Sequence, residues 1–215
     1  MLKLYYHPLS SYCQKVIVAL YENDTPFEGV FIDLGKTEDR QRLVDVWPMA
    51  KFPVLVDTAQ DWTVPESSII IEFLDQKFPG RTRFIPSDPD AARQMRMRDR
   101  FYDLHVMAAV QAVVGDRLKP QERRDPVGVE QSFRQLAGAL ALVEKDMSGG
   151  KTWAMGEQFT MADCAAAPAL FYANMLAPFG GDLVHAKRYL ERLTQRPSYA
   201  RALEDARPYL HFVPV

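Results

Sequence analysis

The sequence predicts a small α/β domain followed by an all-helical one. Three observations carry this. Strand and helix signals alternate over residues 1–78, a stretch with Pro79, Gly80 and Pro86 follows over 79–86, and strand signals vanish from 87 to 215. A chain of 215 residues suits two compact units, at roughly 100–200 residues per domain.

The first strand is the apolar run Leu2-Lys3-Leu4-Tyr5-Tyr6, broken by His7-Pro8-Leu9. Ser10-Ser11-Tyr12-Cys13 then opens an amphipathic helical run to Leu20. Phe27 to Asp33 alternates as a second strand, and Thr37 to Trp47 is polar and helix-compatible. Pro53 to Asp57 is a short β-branched strand, and a polar turn leads into Trp62-Thr63-Val64 as its hairpin partner. Glu66 to Phe78 places Ile69, Ile70, Phe73 and Leu74 at helical spacing, and Pro79-Gly80 stops it. The order β-α-β-α-β-β-α predicts a mixed four-stranded sheet with helices on both faces.

In the second half, Asp88-Pro89 puts an N-cap before a proline at the first helical position, and the pattern runs to about Leu118. Asp125-Pro126 repeats the device for a helix ending near Met147, before Gly149-Gly150. Thr160-Met161-Ala162-Asp163 reads as a capping box, with Phe159 placed to pack on the first turn. Asp182 opens a fourth helix that ends before Pro197, and a shorter one reaches about Ala206.

A formal net charge of −2 gives no electrostatic drive towards nucleic acid or an anionic membrane. Arg93, Arg96, Arg98 and Arg100 are interleaved with Met95, Met97 and Asp99, which reads as a solvated helix face or a subunit contact. No run approaches the roughly 18 apolar residues of a membrane span, and the start lacks a signal-peptide pattern. Cys13 and Cys164 sit in different halves, and His7, His105, His185 and His211 are scattered. A cytoplasmic protein with neither disulfides nor a metal is expected.

Three segments of the first half carry candidate chemistry. Ser10-Ser11 begins a helix, where serines cap and where free N–H groups and about +0.5 of a charge also hold an anion. Lys51-Phe52-Pro53-Val54-Leu55 brings a proline into a strand. Only about 5–6% of X–Pro bonds are cis, so the residues alone favour trans; a cis bond turns the Phe52 N–H and C=O outward, to pair with a bound peptide. Pro65-Glu66-Ser67 opens the third helix, again as caps or as a reader of an amino acid's carboxylate and ammonium.

Together with Phe159-Thr160-Met161-Ala162-Asp163, these segments resemble the cytosolic glutathione transferases over nearly the whole chain. The resemblance implies a thioredoxin-like domain over 1–78, a linker over 79–86 and a helical domain over 87–215. It also implies a cis Phe52–Pro53 bond, a homodimer, and glutathione and a hydrophobic electrophilic small molecule as partners. Ser10 falls where serine-type members hydrogen-bond the glutathione sulfur, at the first cysteine position of a thioredoxin Cys-x-x-Cys; Ser11 is the alternative. The Phe52 backbone beside Pro53 would pair with the cysteinyl part, Glu66 and Ser67 would hold the γ-glutamyl end, and Lys51, or Lys36, would meet the glycyl carboxylate. A donor and a helix start would lower the thiol's ordinary pKa near 8.5 by about one to two units, at roughly 1.5–3 kcal/mol for a bond to a charged acceptor.

The electrophile pocket is expected between the domains, at Leu9, Tyr12, Tyr102, Val106 and Met107; for the last three a core stripe is the competing reading. The serine pair and Cys13 also resemble the zeta class, whose members isomerise maleylacetoacetate, yet Lys15 stands where that class carries arginine. Two other functions stay open: a glutathione-fold binding module without turnover, and a glutathione-dependent reductase that uses Cys13. Cys13 itself reads as a small buried hydrophobe.

Overall fold

The computed structural model describes residues 1–214. The first half runs β1 (Leu2–Tyr6), α1 (Ser11–Glu22), β2 (Glu28–Phe31), α2 (Thr37–Val46), β3 (Val54–Asp57), β4 (Trp62–Pro65) and α3 (Ser67–Lys77). The strands form one sheet in the order β2-β1-β3-β4. β1 is parallel to β2 and antiparallel to β3, which is antiparallel to β4. The sheet is therefore mixed, as the element order predicts.

Alternation along the strands decides which helix covers which face. Leu4 opposes Leu55, and both enter the main core with residues of α1 and α3. The next pair, Tyr5 and Val54, faces a smaller cluster with Ile32 and Leu43 of α2. α1 is apolar almost all round because it is enclosed. Val16, Ile17, Val18, Ala19 and Leu20 are all buried, in one core shared with α7 and α9.

The second half comprises α4 (Pro89–Phe101), a π-helical segment (Tyr102–Met107), α5 (Ala108–Arg117), α6 (Pro126–Met147), α7 (Met161–Leu176), α8 (Val184–Gln195) and α9 (Pro197–Ala206). Asp88 caps α4 through the Ala91 N–H at 2.8 Å, and Asp125 caps α6 through the Gly128 N–H at 3.0 Å. Each such cap contributes about 1 kcal/mol. The Thr160–Asp163 box forms, and buried Asp163 also accepts from the Ala154 N–H at 2.7 Å and the Tyr189 hydroxyl at 2.6 Å. One carboxylate thus ties the start of α7 to its preceding loop and to α8.

Three features differ from the sequence expectation. α8 starts at Val184 behind Leu183, so Asp182 caps nothing. The last helix continues into a 3₁₀ turn, Arg207–Phe212. The expected helix through Leu118 is continuous but widens at Tyr102–Met107, where a π turn inserts an extra residue and shifts the register of every later side chain.

Glu22, in the last turn of α1, joins the halves. Its carboxylate accepts from Arg196 at 2.6 and 2.8 Å, from Ser198 at 2.7 Å and from Thr82 at 3.0 Å. Burial pushes its pKa up, but the bonds from Arg196, Ser198 and Thr82 outweigh that and hold it below its ordinary 4.5. A depressed carboxylate contributes stability that is complete above the unfolded value and lost as pH falls through the folded one. Glu22→Gln should therefore cost about 1.5–3 kcal/mol at neutral pH and flatten the acid limb below pH 4.5. Urea midpoints at about pH 7 and about pH 3.5 measure this; an unchanged acid limb would refute it.

Candidate active site at two helix starts

The turn between β1 and α1 is held from both halves of the protein. Within it, the Ser10 N–H donates to the His7 carbonyl at 3.0 Å and the Leu9 N–H to His7 Nδ1 at 3.1 Å. From α7, the Tyr172 hydroxyl donates to the Leu9 carbonyl at 2.7 Å. Gln14 Nε2 donates to the Pro8 carbonyl and to the Tyr172 hydroxyl, both at 2.9 Å. Ser10 is the N-cap of α1, and its Oγ accepts from the Cys13 N–H at 3.3 Å. A hydroxyl that accepts at a cap keeps its own proton to donate elsewhere. Ser11 is the first helical residue and is buried.

The start of α3 is built differently. Glu66 sits at φ 68°, ψ 116°, a left-handed φ that costs a non-glycine residue about 1–3 kcal/mol. Its side chain makes no cap bond, so the first N–H groups of α3 stay without helical partners beside buried Ser67. The Phe52–Pro53 bond is cis, and the β3 ladder begins only at Val54.

Two cavities meet at these helix starts. One, of about 280 Å³, is lined by Lys51, Phe52, Pro53, Glu66, Ser67 and Tyr12, with Arg100, Asp103 and Gln111 from the helical half. The other, of about 620 Å³, is lined by Leu9, Ser10, Ser11 and Met107, with His7, Val110, Val114 and Leu118. Phe52 and Gln111 line both, so they form a common wall.

Several expected pocket residues lie elsewhere. Val106 is fully buried and Tyr102 is 2% exposed, so both belong to the core; the π turn breaks the stripe drawn through them at regular helical spacing. Tyr12 lines the smaller, polar cavity instead of the apolar one. Lys36 is exposed before α2 and lines neither cavity. The apolar wall of the larger cavity, Met107-Val110-Val114-Leu118, runs on from Met107 along α5 at helical spacing, i, i+3, i+7, i+11.

Behind the site lies a buried charge cluster. Lys15 Nζ, with no exposed surface, is 2.6 Å from Asp99 Oδ1 and 2.8 Å from Asp103 Oδ2. It also donates to Ser68 Oγ at 2.8 Å, and that hydroxyl donates to Asp99 Oδ2 at 2.6 Å. Burial pushes the Asp103 carboxyl up, against the pull of Lys15. This cluster joins α1, α3 and the π segment directly below both helix starts.

A thioredoxin-like sheet with a cis-proline before β3, backed by a helical half, defines the class of fold. Family models for the glutathione S-transferase N-terminal domain and C-terminal domain match residues 4–82 and 101–197. The chain belongs to the glutathione transferase family. It is 29% identical to a stringent starvation protein A homolog of Coxiella burnetii, over 99% of this chain and 96% of that one. It is 27% identical to glutathione S-transferase U25 of Arabidopsis thaliana, over 95% of this chain and 90% of that one. A crystal structure of a Methylobacterium radiotolerans glutathione S-transferase, in complex with glutathione sulfonate, is 28% identical with a TM-score of 0.79, over 94% of this chain and 93% of that one. Among the described residues no helix is long and apolar enough to cross a membrane, and no group of three or more His, Cys, Asp or Glu is gathered to hold a metal.

Cys13 and Cys164 are free thiols with no exposed surface. Burial pushes the Cys13 thiol up to about 12, against hydrogen bonds from Ser10 and the His7 backbone, and raises Cys164 well above its ordinary value. Reactivity follows the thiolate. Iodoacetamide at neutral pH should leave both unmodified in the native protein and alkylate both in denaturant, as mass spectrometry would show. Rapid native labelling of Cys13 would contradict this.

Proposed function

We propose that the protein is a glutathione transferase in which Ser10 holds the glutathione thiolate for attack on an apolar electrophile. The observation that carries this reading is the shared wall: a polar cavity with Lys51, Glu66 and Ser67 meets, across Phe52 and Gln111, an apolar one that Ser10 lines. Glutathione carries two carboxylates and one ammonium, and the polar cavity offers matching groups. Lys51 takes the glycyl carboxylate, the Ser67 hydroxyl and the α3 start take the γ-glutamyl carboxylate, and Glu66 takes the ammonium. The Phe52 backbone pairs with the cysteinyl unit, and the sulfur then lies at the common wall. Ser10 is preferred over Ser11 because its Oγ already accepts from Cys13 and has its proton free.

Ser10→Ala should raise the pKa of the bound thiol by one to two units, at about 1.36 kcal/mol per unit, and lower kcat by roughly ten- to a hundredfold, with glutathione affinity little changed. Ultraviolet titration of the bound thiolate and conjugation of a chlorinated dinitrobenzene measure the two effects. If Ser11→Ala produces them and Ser10→Ala does not, the roles are reversed.

Full-length similarity to stringent starvation protein A homologs favours a second reading, a glutathione-fold binding module without turnover. Tight glutathione binding with no conjugation across several electrophiles would establish it. We also propose a cytoplasmic homodimer, formed through exposed Trp62, Ile69 and Met97 on β4, α3 and α4. Light scattering should then give about 49 kDa, twice the chain mass of 24.5 kDa, and Met97→Glu should reduce it towards the single-chain value.

A further inference from the structure

His7 lines the apolar cavity beside Ser10 and Ser11, yet the thiolate chemistry above does not use it. Its Nδ1 accepts from the Leu9 N–H at 3.1 Å. A ring nitrogen that accepts carries no proton, so the neutral imidazole carries its proton on Nε2. Among the described residues Nε2 has no hydrogen-bond partner. The ring is held by aromatic neighbours, with centroids 5.0 Å from Phe31, 5.0 Å from Tyr209 and 6.4 Å from Phe52. Burial lowers its pKa below 6.5, with Asp33 opposing, so at neutral pH the group is an uncharged donor.

The remaining wall sets what this donor meets. Leu9, Met107, Val110, Val114 and Leu118 are apolar, and among the described residues no Lys or Arg lines the cavity. Among the described residues Asp33 is the one carboxylate on its wall. A dicarboxylate would face that charge with no cation to offset it, which argues against an acidic isomerase substrate. A neutral apolar molecule with one acceptor oxygen fits.

We propose that His7 is a further catalytic residue, whose Nε2–H donates to the carbonyl oxygen of an apolar α,β-unsaturated aldehyde or ketone in this cavity. The proposal rests on the transferase reading. The glutathione thiol first gives its proton to solvent. The thiolate pair then forms a C–S bond at the β-carbon, the C=C π pair shifts, and the carbonyl becomes an enolate. The His7 hydrogen bond strengthens as charge collects on that oxygen, and solvent returns one proton to the α-carbon. No oxidant, reductant or leaving group is involved. A neutral imidazole suits this role because it stabilises an oxyanion without giving up its proton.

The test compares benzylideneacetone, which passes through an enolate, with iodohexane, which loses iodide and forms no oxyanion. His7→Phe keeps the ring stack but removes both the Nε2–H donor and the Nδ1 acceptor of the Leu9 N–H, so iodohexane turnover reports the cost of the loosened turn alone. It should lower kcat/KM for benzylideneacetone by roughly a hundredfold more than it lowers iodohexane turnover, the usual effect of removing one oxyanion donor, whatever loss the two substrates share. His7→Gln, which keeps an N–H, should retain most enone activity. Unchanged enone activity in His7→Phe, or equal losses on both substrates in both variants, would overturn the role of His7 while leaving the transferase reading intact. A wild-type protein that binds glutathione and turns over neither substrate would overturn both.

Discussion

The structure turns on a buried ammonium. Lys15 lies in the middle of α1, enclosed on every side, and an unpaired charge there would cost several kcal/mol. The fold answers by bringing Asp99 and Asp103 down from the helical half and Ser68 across from α3. Asp103 reaches inward from the π turn at Tyr102–Met107. Once these bonds are made, the starts of α1 and α3 are referenced to one point. That common reference is what an anion held between two helix ends requires.

Around this pin the backbone is cross-tied. The turn carrying Ser10 is tied by Tyr172 and Gln14, which together bind two of its carbonyls. Glu66 is kept in an unfavourable conformation by flanking structure: β4 pairs up to Pro65, and the Ile70 N–H closes the first turn on the Glu66 carbonyl at 2.9 Å. Both arrangements oppose relaxation of the site when it is empty.

Element order was readable because each boundary has local chemistry: Asp88-Pro89, Asp125-Pro126, Thr160 with Asp163, and Pro79-Gly80 act within one turn. The serine, proline and Glu66-Ser67 segments were readable for the same reason, since each lies at a helix or strand start. What escaped depends on contacts distant in sequence. In the sequence Lys15 stands out only as a departure from the zeta-class arginine, and its buried pairing is invisible because Asp99 and Asp103 lie more than 80 positions away. His7 reads in the sequence as part of a break and as one of four scattered histidines. Between the pocket and the core-stripe readings of Tyr102 and Val106 the sequence could not choose, because a π turn at Tyr102–Met107 has no local signature.

The tie between Tyr172 and the Leu9 carbonyl has a bearing on how such proteins diverge. The hydroxyl that steadies the serine turn, and the carboxylates that neutralise α1, are encoded downstream of the linker, while everything they serve is encoded upstream. A recombination event at the linker between two distant family members would separate each lock from its key. Gln14 and Lys15 each depend on partners in the opposite half, Tyr172 for the one and Asp99 and Asp103 for the other, so a change at either residue leaves a buried polar group on the far side without its match.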